Sequence, residues 1–451
     1  MKTFLLNYIG DKEFYLKTFR VTFPLAMTML LTSCMSIIDS IMVSSIGMVT
    51  AVGNATQIIT LSNGITWGIT SGIAIFAAQF YGAKQFDKMG KTLGLSIILS
   101  LINALIWISV SYLFPDQILL FYLDDFEVLE YSRRYLQIVV LAEIPLALNN
   151  SIGIMYRSEH NTKLTFIISL FGAIFNIFFN YLFIFVLDIG VEGAALGTLI
   201  AQSLVFLIYV FYIIKDKPSF ILGVENFKLP LSFVKPIFAR IIPLIINETL
   251  FGFGMTLFVK AFGLLGTQSM DAYYVANQIF NLFLFLVHGY GSAVSILIGT
   301  RLGQGRIELA KQEAKYQLGL GAMLAVGLII FIIIFKAPLL GLYNVQDMNT
   351  FIVCEGLLNV FAFKVFMRMF NFLMFSTLKA GGDAGILNFL DSGIMYLVGI
   401  PIAFISILVF KIDSIVLVLL LCQIEQVVRF ILTYRRYRTG TWANDLTKSM
   451  V

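Results

Sequence analysis

A short set of ionisable side chains sits inside long apolar runs of this 451-residue chain: Asp39, Glu143, Glu248, Lys260, His288, Glu355, Lys364, Arg368, Asp391, Glu425 and Arg429. An ionised group at mid-bilayer depth costs about 2.5–3.5 kcal/mol on insertion scales, so each of these needs water, a counter-ion or a task. Asp39 has companions at matching depth. Asn176 and Asn180 stand at i, i+4 in a later run and so share one helix face. At about 1.5 Å per residue, Asp39 and Asn180 each lie roughly 10 Å inside the same end of their runs. A carboxylate facing two side-chain amides can hold a proton or coordinate a small cation such as Na+. The competing reading makes the asparagines interhelical hydrogen-bonding glue and Asp39 a packed, protonated acid.

The second half of the chain carries a different constellation. Glu248 follows Pro243 by five residues, and Pro243 is able to kink its helix. His288 lies near the middle of the next run, and Glu355 precedes Lys364 and Arg368, which share one helix face at i, i+4. Two cations against lipid are prohibitive, so Lys364 and Arg368 must see water or acids. One reading is the wall of a water-filled cavity. The other is a structural ion-pair cluster in which Glu248, Glu355 or Glu143 answers the two cations. His288 alone fits a helix-packing role. Glu425 and Arg429, at i, i+4, read as a self-paired bridge, and Asp391 suits either role.

The elements that carry these residues follow from composition. Hydrophobic residues make up 59% and charged residues 13%, with a mean hydropathy of +0.90. A soluble domain has about 45–50% apolar and about 25% charged residues, so a water-soluble fold and intrinsic disorder are both excluded. Cys34, Cys354 and Cys422 lie in apolar runs and read as small buried hydrophobes, and two histidines leave little for a zinc site. No resident metal or cofactor is expected. The segment Met1–Arg20 has basic residues and no small-residue cleavage site, so it reads as retained and cytoplasmic.

Runs of about 20 apolar residues define a span. Twelve such runs occur, near 21–46, 52–80, 92–114, 133–156, 164–187, 193–214, 236–264, 273–299, 315–335, 348–377, 385–409 and 413–433. With both termini inside, the basic residues between spans fall on the inner side, apart from Arg133, Arg134, Lys336 and Lys411. That asymmetry is the positive-inside pattern. Asp116, Asp124, Asp125, Glu127 and Glu130 sit in the largest outer segment, 115–132. The modest net charge of +5 thus speaks of orientation in a membrane, not of nucleic acid.

The two halves repeat at an offset of 219–222: Pro24 with Pro243, Gly47 with Gly266, Gln57 with Gln278, Gly82 with Gly303, Tyr122 with Tyr343, Asn149 with Asn371, Arg157 with Lys379. Six spans per unit make the repeat parallel, about an axis along the membrane normal. The expected organisation is a cytoplasmic segment 1–20, a first six-helix lobe 21–214, a polar inter-lobe loop 215–235, a second lobe 236–433 and a basic cytoplasmic tail 434–451. Gly64, Gly68 and Gly72 recur at i, i+4, i+8 in the second span, a spacing that lets helices approach closely, with a hinge as the other reading. The sequence has no His-Glu-x-x-His, phosphate-loop or Gly-x-Ser-x-Gly motif, which leaves an ion gradient as the energy source.

Several stretches together carry a resemblance: Phe23-Pro24 with Asp39, Ala78-Gln79 through Gly82-Ala83-Lys84, and Phe175-Asn176 through Asn180-Tyr181 with Gly190-Val191-Glu192-Gly193-Ala194-Ala195. In the second half they are Ile242-Pro243 with Glu248, Gly303-Gln304-Gly305-Arg306, and Leu378-Lys379-Ala380-Gly381-Gly382-Asp383. On these the chain resembles, over nearly its whole length, the multidrug and toxic compound extrusion (MATE) family. The resemblance implies a V-shaped pair of six-helix lobes exporting organic cations in exchange for H+ or Na+. It implies that Asp39 is the coupling carboxylate, with Asn176 and Asn180 as its polar partners. Some relatives have an acid where this chain has Asn180. Glu248 matches a seventh-span acid used by some relatives, and Asp383 ends a Gly-Gly-Asp stretch with an equally good claim to a structural role. Lys364 and Arg368 match no family-wide pattern; they would favour a zwitterionic or anionic substrate, or neutralise Glu355.

The expected setting is the cytoplasmic membrane of a bacterium, with the lipid bilayer and small-molecule drugs as partners and a monomeric state. One rival is a lipid-linked precursor flippase of related lobe plan, for which Lys260, Lys364 and Arg368 speak. Resistance to ethidium or altered envelope glycans in expressing cells separates the two. A second rival, an intramembrane enzyme using Glu248 and His288, lacks any supporting motif.

Overall fold

The computed structural model describes residues 8–120, 126–341 and 348–448; the side chains of residues 126, 127 and 267 are also outside the description. Tyr122 with Tyr343, Asp124, Asp125 and the last residues of the tail therefore lie outside the described residues, as does the Glu127 side chain.

Among the described residues, twelve helices are long and apolar enough to cross a membrane. They are α1 (Lys12–Ser45), α2 (Val49–Gly82), α3 (Phe86–Leu113), α4 (Val128–Ser158), α5 (Thr162–Val186) and α6 (Val191–Asp216), then α7 (Leu231–Gly263), α8 (Gln268–Gly303), α9 (Ile307–Gly341), α10 (Met348–Ala380), α11 (Ala384–Leu408) and α12 (Ile415–Arg438). No strand occurs among the described residues. Several helices run well past the apolar runs that reveal them; α1 starts at Lys12 and α9 ends at Gly341. Hydropathy marks only the part that needs hydrocarbon. Backbone hydrogen bonding continues beyond it. Lys336, which the charge pattern assigns to a connecting segment, consequently lies within α9.

Irregularities in the helices have local causes. In α4 a 3-10 turn at Val140–Ala142 precedes Glu143 and Pro145. Pro145 has no N–H to give the Leu141 carbonyl, so the ladder tightens there. Pro24, Pro236 and Pro243 lie inside α1 and α7 without ending them. Among the described residues, π-helical turns occur at Leu182–Val186 just after Asn180, and at Phe389–Gly393 with Met395–Gly399 around Asp391.

The internal repeat is written in the backbone. Left-handed residues recur in pairs: Gly47 (φ 72°) with Gly266 (89°), Lys84 (57°) with Gly305 (73°), His160 (63°) with Gly382 (81°), Asp188 (50°) with Lys411 (51°) and Lys217 (44°) with Gly440 (68°). Side chains repeat as well. Asn149 Nδ2 donates to the Gln202 carbonyl at 3.0 Å and to its Oε1 at 3.1 Å, while Asn371 Nδ2 donates to the Gln426 carbonyl and Oε1, both at 3.2 Å.

The chain forms two compact units. One comprises Met27–Ile245 with the end of the chain from Thr447, and the other Met1–Ala26 with Ile246–Leu446. α1 and α7 are thus each divided, after Ala26 and after Ile245. In the first unit, Val43, Ile58, Leu136 and Ala195 belong to the core. There α7 lies hard against α2: a methyl on Gly68 would meet the Ile245 Cα at 2.7 Å, and one on Gly72 the Ile241 Cγ1 at 2.7 Å. Gly53 and Gly64 have nothing within 4 Å of such a methyl. The loop before α7 is folded onto α3, where Phe220 and Asn226 are buried and Gly94 makes room for the Asn226 carbonyl.

In the second unit, Phe262, Ala276, Ile279, Phe361 and Val418 belong to the core, and the start of α1 joins through Val21 and Leu25 against Ala293 and Leu297. A methyl on Gly289 of α8 would sit 2.4 Å from the Ala26 Cα. The tail after α12 is folded: Trp442 is buried, and its indole N–H donates to the Tyr437 carbonyl at 3.0 Å. This accounts for the Gly-Gly-Asp stretch. Gly381 leaves space for the Trp442 carbonyl, Gly382 takes a left-handed turn, and Asp383 accepts from Arg436 Nε at 2.8 Å and Nη2 at 3.2 Å.

Candidate functional site

In the first unit, α1, α5 and α6 bring the Asp39 group together. Asn180 Nδ2 donates to Asp39 Oδ1 at 2.8 Å and to Asn176 Oδ1 at 3.4 Å, and Asn176 Nδ2 donates to Thr198 Oγ1 at 3.3 Å. Asp39 is partly buried, whereas Asn176 and Asn180 are almost fully so. Burial of the two amides without bonds would cost about 1–3 kcal/mol each, which the chain of bonds removes. One acceptor remains: Asn180 Oδ1 is buried with no hydrogen-bond partner.

Two residues with no signal as ionisable or amide groups complete the arrangement. Gly197 lies directly beneath the Asn180 amide, where a methyl would stand 2.0 Å from Oδ1 and 2.9 Å from the backbone nitrogen. Thr198 continues the hydrogen-bond chain, its hydroxyl donating to the Ala194 carbonyl at 3.2 Å. Tyr135 is a neighbour of Asp39 and lines the same cavity, as does Thr56. The run Gly193-x-x-x-Gly197 is the one sequence signal for this close approach. The group lines a cavity of about 480 Å³ that also presents Gln57, Asn63 and Gln202. Chemically it offers one carboxylate, three amide or hydroxyl oxygens and no fixed counter-charge, which suits a proton or a small hard cation. Among the described residues no group of three or more His, Cys, Asp or Glu side chains is placed to hold a metal ion.

Glu143, also in this unit, has its own partner. Ser62 Oγ donates to its Oε2 at 2.6 Å, and Asn103 Nδ2 donates to the Ser62 carbonyl at 3.1 Å and to Thr66 Oγ1 at 3.0 Å. It does not answer Lys364 or Arg368.

In the second unit, His288, Lys364 and Arg368 line a cavity of about 230 Å³ with aromatic residues of α7 and α8 and polar residues of α12. Glu355 is not part of it. Lys336 Nζ takes Glu355 Oε1 at 2.8 Å, and Glu248 does not line the cavity either, although Lys379, Asp391 and Arg368 are its charged neighbours. Lys260 is exposed in the last turn of α7, away from the cavity. The expected Glu425–Arg429 bridge is present but larger. Arg429, fully buried, contacts Glu425 through Nη2 and Asp391 Oδ1 through Nη1 at 2.9 Å, and also donates to the Asp391 carbonyl at 3.0 Å. The π-helical turn at Phe389–Gly393 carries Asp391, while Asn247 Nδ2 donates to Asp391 Oδ2 at 3.1 Å.

Lys364 and Arg368 are left with rings. Lys364 Nζ lies 5.0 Å from the Phe280 centroid and 5.5 Å from that of Phe361; the Arg368 guanidinium lies 5.3 Å from Phe251 and 5.9 Å from Phe372. Cation–π contacts contribute about 0.5–2 kcal/mol each. Withdrawing an ion from water costs several kcal/mol. Rings alone therefore do not balance the two charges.

Comparison with known proteins gives a consistent picture. The MatE family model matches residues 24–182 and 243–410. An uncharacterised transporter of Bacillus subtilis, YisQ, is 25% identical, covering 98% of this chain and 97% of its own length. The probable multidrug resistance protein NorM of Haemophilus ducreyi is 25% identical over 71% of each chain. A crystal structure of a MATE mutant superposes with a TM-score of 0.87 at 17% identity, covering 97% of this chain and 98% of the other, a likeness of fold.

Proposed function

Since the chain belongs to the MATE family of multidrug efflux transporters, we propose that it exports small xenobiotics, organic cations among them, in exchange for H+ or Na+ by alternating access. The carrying observation is the Asp39 group, a carboxylate held by one amide beside a cavity of about 480 Å³ and with no ion pair among the described residues. Ion binding at Asp39 neutralises it and exchanges the Asn180 bond for a new one. If that state binds drug less well, linkage requires that drug and ion oppose each other. Drug then leaves on the side where the ion is abundant. Asn176, Asn180 and Thr198 position the amide and supply oxygens. The setting is a bacterial cytoplasmic membrane with both termini inside.

The test is transport in sealed liposomes, with ethidium followed by fluorescence and Na+ and pH gradients imposed separately. One gradient should drive movement in the native chain, and Asp39→Asn should abolish it while the protein still elutes and melts as a folded species. An Asp39→Asn chain that exchanges at the native rate would end this assignment.

A further inference from the structure

We infer that the cavity of the second unit is a binding site for the anionic group of an aromatic organic acid or zwitterion, with Lys364 and Arg368 as its receptors. The inference deepens the exporter reading by naming a substrate class and rests on that reading for its transport meaning only.

Four cations cluster here, Lys364, Arg368, Lys379 and Arg429, with three carboxylates near them, Glu248, Asp391 and Glu425. The carboxylates are not distributed evenly. Asp391 and Glu425 are both engaged by the same guanidinium, that of Arg429. Glu355, the acid on the same helix as the two cations, is taken by Lys336. Among the described residues, Lys364 and Arg368 have neither a hydrogen bond nor a carboxylate within 4.0 Å. They stand one turn apart on α10, both facing the cavity of about 230 Å³. An ammonium and a guanidinium at that spacing match a carboxylate or sulfonate, the guanidinium through a two-pronged contact.

The remainder of the wall fits the body of such a molecule. Phe251, Phe258, Phe262 and Phe280 give the cavity an aromatic lining, and Asn277 and Asn281, at i, i+4 on α8, supply amides. An inorganic anion would find the charges but no use for these rings. A flat cation would find the rings and one carboxylate, Glu425, but that carboxylate is already held by Arg429. A ring system bearing an acid satisfies both.

The experiment uses two probes that share a ring and differ in charge, 2-naphthoate and 2-naphthylmethylammonium. Their equilibrium binding to the detergent-solubilised full chain is measured with no gradient present. The native protein should bind the acid at least tenfold more tightly than the ammonium. Lys364→Gln and Arg368→Gln should each weaken the acid tenfold or more, Lys364→Arg and Arg368→Lys by less than threefold, and all four should bind the ammonium at least as well as the native chain, which also reports that they are folded. Equal affinity of the native chain for the two probes, a preference for the ammonium, or glutamine variants that keep native affinity for naphthoate would overturn the inference. A chain that binds naphthoate as described yet moves nothing under either gradient would leave this site standing and remove the exporter reading.

Discussion

The Asn180 amide is tightly constrained beside the Asp39 carboxylate. One face donates to Asp39 and Asn176, and the other rests on Gly197 with Oδ1 unpaired. Gly197→Ala would place a methyl 2.0 Å from Oδ1, and overpacking of this kind costs about 1–3 kcal/mol. We expect this variant to lose at least tenfold in gradient-driven ethidium transport, as Asn180→Ala does, while Gly193→Ala in the same helix meets only the Phe183 backbone and Cβ at 3.0 Å and loses less. Initial rates in liposomes check this; native exchange by Gly197→Ala would show that the amide is free to move without cost. The Asp39, Asn176 and Asn180 set was legible in sequence because polar residues at bilayer depth are conspicuous. Gly197 and Thr198 were not, since small residues are ordinary in membrane helices and their role depends on which helix faces them. Glu355 was misplaced for a related reason: its partner Lys336 reads as a connecting residue until α9 is seen to extend past it.

At the scale of helices, glycine spacing marks close approach but not which glycines are approached. Gly64, Gly68 and Gly72 look alike in sequence, yet only the last two lie against α7. Gly68→Ala should therefore lower thermal stability by several degrees, because its methyl meets backbone that cannot rotate away. Gly64→Ala should be neutral or slightly stabilising, because alanine is the better helix former by about 1 kcal/mol in an open site. Melting of the two purified variants side by side decides it; equal losses would mean that the α2–α7 contact yields. The mirrored contact of Gly289 on Ala26 should respond as Gly68 does. The π-helical turns that aim Asp391 and follow Asn180 have no counterpart in hydropathy, which registers apolar content and not a shift from i+4 to i+5 bonding.

For the molecule as a whole, the number and order of spans were readable from apolar runs, and the repeat from weak matches that gain force by keeping one offset. The backbone adds what residue identity conceals: Lys84 and His160 occupy the left-handed positions that Gly305 and Gly382 hold in the other copy, so the geometry persists where the glycine does not. The basic bias predicts sidedness. In a chain whose Cys34, Cys354 and Cys422 have been replaced, a single cysteine at Lys84 or Arg306 should react with a membrane-impermeant maleimide only after cells are opened. One at Lys411 should react in intact cells. Labelling of Lys84→Cys from outside would invert the orientation.

The division of α1 after Ala26 and of α7 after Ile245 bears on how the protein comes into being. The early turns of α1 pack against partners that come much later in the chain: Thr18 receives a hydrogen bond from Gln317 at 3.2 Å across 299 positions of sequence, and Ala26 waits for Gly289. Chain closure over such separations is slow. During synthesis the opening turns of α1 therefore exist without their neighbours, and the second unit cannot be completed by its own half of the gene product. A separately expressed second half would be missing a wall, and supplying residues 1–45 in trans is the natural way to give it back.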